Sequence, residues 1–236
     1  MYTMKGVDKA YLKEINTYTK TDGKLALCIP LIIIGFSIIL NGLSLNFEFI
    51  NYSPFMSQIF MSVLVLIPVL IIVKMRGQTP RSLGLRLGAW SRSLIAGVIF
   101  GGMMAIGLYF IIRSTREVGR AEVTHIELLF MLSLLIAVTD HMGIRGYMQN
   151  RLYGLKYSDF LSLLIGGVLV VVVSPITSML MNMLFPSLDI RVTINLFSMG
   201  VYFILHVGLT LLYRKYNSMV GPVVWQMIVM MALSFI

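Results

Sequence analysis

The chain has 236 residues, 58% of them hydrophobic and only 12% charged, with a mean hydropathy of +0.87. That is about half the charge of a soluble domain, too little to clothe a water-facing surface, and it excludes a soluble enzyme or a disordered tail. The net charge of +9 resides in lysines and arginines clustered between apolar stretches, with no basic stripe interleaved with aromatics. No nucleic-acid partner is expected, and the composition is that of an all-α, multi-pass membrane bundle.

Residues 1–24 precede any apolar run and read as a cytoplasmic amphipathic segment, too polar for a cleavable signal peptide. It is expected to lie as a helix on the inner membrane face, held there by Lys5, Lys9, Lys13 and Lys20 and by lipid contact. Residues 25–236 form one membrane domain, without a repeat, a low-complexity tract or a long linker.

A spanning helix needs about 20 mainly apolar residues. Seven stretches qualify: Leu25–Leu45, Pro54–Val73, Ser93–Ile112, Ile126–Met142, Phe160–Leu184, Val192–Tyr213 and Met219–Ile236. Cys28, the single cysteine, lies in the first and is expected to pack there. Gly97, Gly101, Gly102 and Gly107 in the third, and Gly166 and Gly167 in the fifth, let neighbouring helices approach closely. Pro68, Pro175 and Pro222 should bend or start their helices.

The connecting segments alternate in charge. The N-terminal segment carries five lysines, 74–92 five basic residues, 143–158 three and 214–218 two. The segments on the other side hold Arg113, Arg116, Arg120 and Arg191, with Glu48, Glu117 and Glu122 among them. Fifteen basic residues against four place the N-terminus inside and the C-terminus outside.

Ionisable or amide groups within spans are costly and turn toward the bundle interior. They are Asp140, His141 and Arg145 at the inner end of the fourth span, Asn182 in the fifth, Asn195 and His206 in the sixth, and Gln226 in the seventh. Asn195 reads as an interhelical hydrogen-bonding group and His206 as a packed neutral histidine. On an α-helix His141 and Arg145, four apart, share a face, and Asp140 points about 100° away.

The stretch TDHMGIRGYMQNRLYG (139–154) resembles the first motif of the CPBP family, the CAAX-protease and bacteriocin-processing proteins also called Abi proteins, which reads EExxxRG followed by an aromatic, Q and L. RSLGLRL (81–87) is similar to the LGL segment that precedes the core in many bacterial members. SPITSMLMNML (174–184) stands where the family has FxxxH, and MVGPVVWQMIVMM (219–231) where it has a small residue, a proline and HxxxN. The resemblance covers roughly residues 80–236 and implies intramembrane proteolysis in a bacterial cytoplasmic membrane, with a glutamate activating water and histidines binding metal or stabilising the oxyanion. It places Asp140 and His141 at the two glutamates, Arg145 at the kept arginine, Ser178 and Asn182 at the second motif's phenylalanine and histidine, and Gln226 and Met230 at the third motif's histidine and asparagine.

These letters change the chemistry. Catalytic zinc takes three side-chain ligands from His, Cys and carboxylate, and only Asp140 and His141 qualify, adjacent and diverging on a helix. No metal or other cofactor is expected. The leading reading is a non-catalytic family member, a scaffold, regulator or bacteriocin self-immunity factor that binds a membrane or cell-envelope protein. The Met-rich last helix (Met219, Met227, Met230, Met231) supplies an adaptable surface. A peptidase using Asp140 as general base, with Asn182 and Gln226 as oxyanion donors, is the alternative. A small transporter with Asp140 and His206 on a proton path is the third.

Overall fold

The computed structural model describes residues 6–44, 66–115, 126–184 and 196–234. Among them the backbone is helical without a strand, and an isolated antiparallel bridge joins Leu87 to Ser218. In chain order the helices are α1 (Lys9–Ile15), α2 (Lys20–Leu27), α3 (Ile29–Ser44), α4 (Leu66–Met75), α5 (Trp90–Thr115), α6 (Ile126–Asp140), α7 (Asp159–Leu184), α8 (Leu196–Tyr216) and α9 (Val220–Ser234). A 3₁₀ turn, Pro80–Leu83, precedes α5, and α6 runs on as a π-helix over His141–Gln149.

Among the described residues three helical stretches are long and apolar enough to cross a membrane: Trp90–Ile111, Ile126–Leu155 and Asp159–Thr177. They correspond to the expected third, fourth and fifth spans. The first expected span is divided at Cys28, where α2 ends and α3 begins, and that cysteine is exposed rather than packed. Positions 54–65 of the second, 192–195 of the sixth with Asn195, and the last two residues of the seventh lie outside the described residues, as do the loops bearing Glu48, Arg116, Glu117, Arg120, Glu122 and Arg191.

The fourth span differs most from expectation. Residues 143–155, read from their charges as the start of a loop, continue the helix. Arg145 and Arg151 are buried within it. Arg151 is held by Gln78 Oε1 at 3.1 Å, Ser82 O at 3.2 Å and Ser82 Oγ at 2.8 Å, with its guanidinium 4.0 Å from the Tyr147 ring centroid. A buried cation supplied with enough acceptors and an aromatic face needs no loop to reach water.

The N-terminal segment also departs from a simple membrane-surface helix. Asp8 caps α1 by accepting from the N–H groups of Ala10 and Tyr11. Tyr11, Ile15 and Tyr18 are buried against Tyr153 and Tyr213 of the bundle, and Lys9, Lys13 and Lys20 stay exposed on the other face. Burial pushes the Tyr11 hydroxyl up to about 12, so it remains a donor, to Asn150 Oδ1 at 2.8 Å. Thr19 and Asp22 form a capping box at the start of α2. Asp22 also accepts from Arg76 Nε at 3.0 Å and Gln78 Nε2 at 3.1 Å, which ties α2 to the segment after α4.

The closest helix pair is α5 with α9. Ser93, Gly97 and Gly101 recur every fourth residue and so share one face of α5. Ser93 Oγ accepts from Gly221 N at 3.0 Å, and a Cβ on Gly97 would overlap the Gly221 backbone. Gly102 and Gly107 meet nothing nearby. Glycine thus serves close approach at two of the four expected positions on this helix.

Candidate functional site

The π-helix sets the site. A π turn closes i to i+5 bonds rather than i to i+4, so residues five apart, not four, lie one above the other. The shared face expected from α-helical spacing, His141 with Arg145, is therefore replaced by one that Asp140 shares with Arg145. Both of these line a cavity of about 290 Å³, and His141 turns away from it. His141 is fully buried, its Nε2 3.3 Å from the Gly84 carbonyl and its ring edge-on to Tyr213 with centroids 4.9 Å apart. The carbonyl can only accept, so Nε2 carries the proton.

The 81–87 stretch and the 139–154 stretch pack on each other. A Cβ on Gly146 would overlap the Leu83 carbonyl, and Gly84, at φ 78°, takes the left-handed conformation that glycine allows. This contact anchors the π turn against the chain that enters α5.

The cavity lies among α5 to α9. Its walls are mostly aliphatic, including Ile136, Val170, Val201, Val229 and Leu233. Its polar residues are Asp140, Arg145, Tyr202, His206 and Gln226, brought together from three separate stretches of sequence. Gln226 Nε2 donates to Asp140 Oδ2 at 2.7 Å. A carboxylate accepts only, so the Gln226 amide must present its NH₂ there, which leaves Gln226 Oε1 without a partner. Arg145 is 5% exposed, and its Nε and Nη1 have no hydrogen-bond partner. Asp140 and Arg145 line the cavity together, and no ion pair joins them.

His206 is placed by a chain of bonds. Gln149 Nε2 donates to Ser162 O at 3.0 Å, which turns Gln149 Oε1 toward His206 Nε2 at 2.9 Å. His206 therefore donates through Nε2, and its buried Nδ1 remains an acceptor without a partner. Gly166 makes room for this arrangement, since a Cβ there would overlap Gln149 Oε1.

Of the five residues singled out from the sequence, Asp140, Arg145 and Gln226 meet in this cavity, and His141 lies behind it. Asn182 falls on α7, but its side chain is outside the described residues. His206, read as a packing residue, lines the cavity. Gln149 was part of a quoted stretch without a role, and its bond to His206 has no signal in linear sequence. Among the described residues no group of three His, Cys, Asp or Glu side chains is placed to hold a metal ion.

No family model, no curated protein and no solved structure matches the chain.

Proposed function

We propose that the chain is a seven-span membrane protein, N-terminus inside and C-terminus outside, that works by binding within the membrane. On this reading it is a non-catalytic member of the CPBP type. The intramembrane cavity is a ligand-binding site, and the partner of the chain as a whole is a membrane or cell-envelope protein. Scaffolding, regulation and bacteriocin self-immunity all fit this mode of action, and a bacterial cytoplasmic membrane is its proposed location.

The observation that carries this reading is the hydrogen bond from Gln226 to Asp140. A general base must offer a lone pair to the water it activates. Here the group bonded to the carboxylate, where the CPBP resemblance expects a histidine, is an amide, which can neither take up nor relay a proton as an imidazole would. The second position of that motif, His141, points into a carbonyl and a tyrosine ring rather than toward Asp140. The remaining polar groups are arranged to hold something, with donors on Arg145 and acceptors on His206 and Gln226.

Affinity purification from native membranes, followed by mass spectrometry, tests the reading. One partner protein recovered in stoichiometric amount is the expected result. Recovery of the chain with only background membrane proteins would overturn it.

A further inference from the structure

The cavity holds two opposite charges that share one wall and do not pair. Taking a charge out of water is costly unless something compensates it. Arg145 offers two unpartnered donor nitrogens, Nε and Nη1, and the acceptor-bearing residues lining the same cavity are Asp140, His206, with its Nδ1 free, and Gln226, with its Oε1 free. A purely anionic ligand satisfies Arg145 and is repelled by Asp140. A purely cationic one does the reverse. We infer that the cavity takes a zwitterion with a primary ammonium: an anionic phosphate or carboxylate on Arg145, and an N–H₃⁺ shared among Asp140, His206 and Gln226, both carried on an apolar chain.

The walls support the apolar part. Ile136, Val170, Val201, Val229 and Leu233 surround the polar groups. α6 packs along α9, and α8 packs along α7 and α9, with no extended contact between α6 and α8 across the cavity. At about 290 Å³ the space is at the small end of ligand pockets, about 300–1,000 Å³. It suits a headgroup and the start of a chain, or a free apolar amino acid. The shared chemistry therefore has two sources, an aminophospholipid of the phosphatidylethanolamine type and an amino acid such as leucine.

This inference rests on the cavity being a binding site, as proposed above. It is tested by native mass spectrometry of the delipidated full chain in neutral detergent. The probes are phosphatidylethanolamine, phosphatidylcholine and phosphatidylglycerol with identical acyl chains, and leucine. Phosphatidylethanolamine or leucine is expected to bind at least about tenfold more tightly than either other lipid, since hydrogen bonds to charged groups are strong when buried. Whichever of the two binds identifies the source.

Arg145→Gln should weaken both phosphatidylethanolamine and phosphatidylglycerol. Asp140→Asn keeps an oxygen for Gln226 and so preserves the local bond, yet it should weaken phosphatidylethanolamine or leucine and strengthen phosphatidylglycerol. Val201→Phe, which fills the wall without touching the charges, should weaken all probes. Equal binding of the three lipids without leucine binding, or a preference untouched by Asp140→Asn and Arg145→Gln, overturns the inference. The partner-protein experiment reads a different quantity. A chain that recovers its partner but shows no headgroup preference refutes only the inference made here, and the converse refutes only the proposed function.

Discussion

Asp22 shows how a single side chain ties the polar end of the bundle together, through Arg76, Gln78 and Thr19. Burial by itself would raise its carboxyl, but the bonds from Arg76 and from Thr19 outweigh burial and hold it below the usual carboxylate range. A depressed value in the folded state stabilises the fold fully above the unfolded-state carboxylate pKa of about 4, and that stability is lost as pH falls from there through the lower folded-state value. Asp22→Asn is therefore expected to lower the unfolding temperature in detergent at neutral pH, and to converge with wild type only at acid pH below the depressed folded-state value. An equal deficit at both pH values would mean that side-chain shape, not charge, carries the effect. Gly146→Ala tests a different contact, the overlap with the Leu83 carbonyl. Overpacking of this kind costs about 1–3 kcal/mol, or roughly 2–4 °C in unfolding temperature per kcal/mol for chains of this size. An unchanged thermal midpoint would refute the contact. The sequence made Asp140, Arg145 and Gln226 legible because polar groups in apolar runs stand out. His206 reads from sequence chiefly as a packed histidine, and beside Asp140 only in the transporter reading, because its placement depends on Gln149 and Ser162 in other segments.

Helix periodicity explains both the successes and the failure at the level of elements. The apolar helical stretches Trp90–Ile111, Ile126–Leu155 and Asp159–Thr177 are about as long as a bilayer requires or longer, so composition locates them without tertiary information. The π-helix at His141–Gln149 has no such signal, and assuming 3.6 residues per turn there puts His141, rather than Asp140, on the face that Arg145 shares. The charges of Arg145 and Arg151 also suggested a loop, because local sequence does not reveal the carbonyls and rings that receive buried guanidinium groups. The seam between α5 and α9 provides a test. Gly97→Val collides with the Gly221 backbone and is expected to destabilise the protein by about 1–3 kcal/mol or more. Gly102→Val, on the same helix with nothing near it, should have little effect. Thermal unfolding of the two variants side by side checks this, and equal losses would contradict the seam.

The whole molecule joins a lysine-faced N-terminal segment to a bundle with a polar cavity. Removing residues 1–19 takes away Tyr11, Ile15 and Tyr18 and uncovers Tyr153 and Tyr213, which they bury. Losing three buried side chains at about 1.5–3 kcal/mol each should leave a chain that inserts but unfolds at lower temperature. Unaltered stability would mean the segment is not docked. The charge bias that orients the chain predicts an inactive cytoplasmic reporter at Ile236, and an active one would require a different number of crossings. The central claim is that the cavity binds and does not cut. The most direct measurement is the intact mass of the partner protein recovered from membranes holding wild type or Asp140→Asn at matched levels. A non-catalytic binder yields full-length partner from both. A general base cannot be replaced by an amide without losing orders of magnitude in rate. A shortened partner from wild type, with the full-length form accumulating only beside Asp140→Asn, would contradict the account.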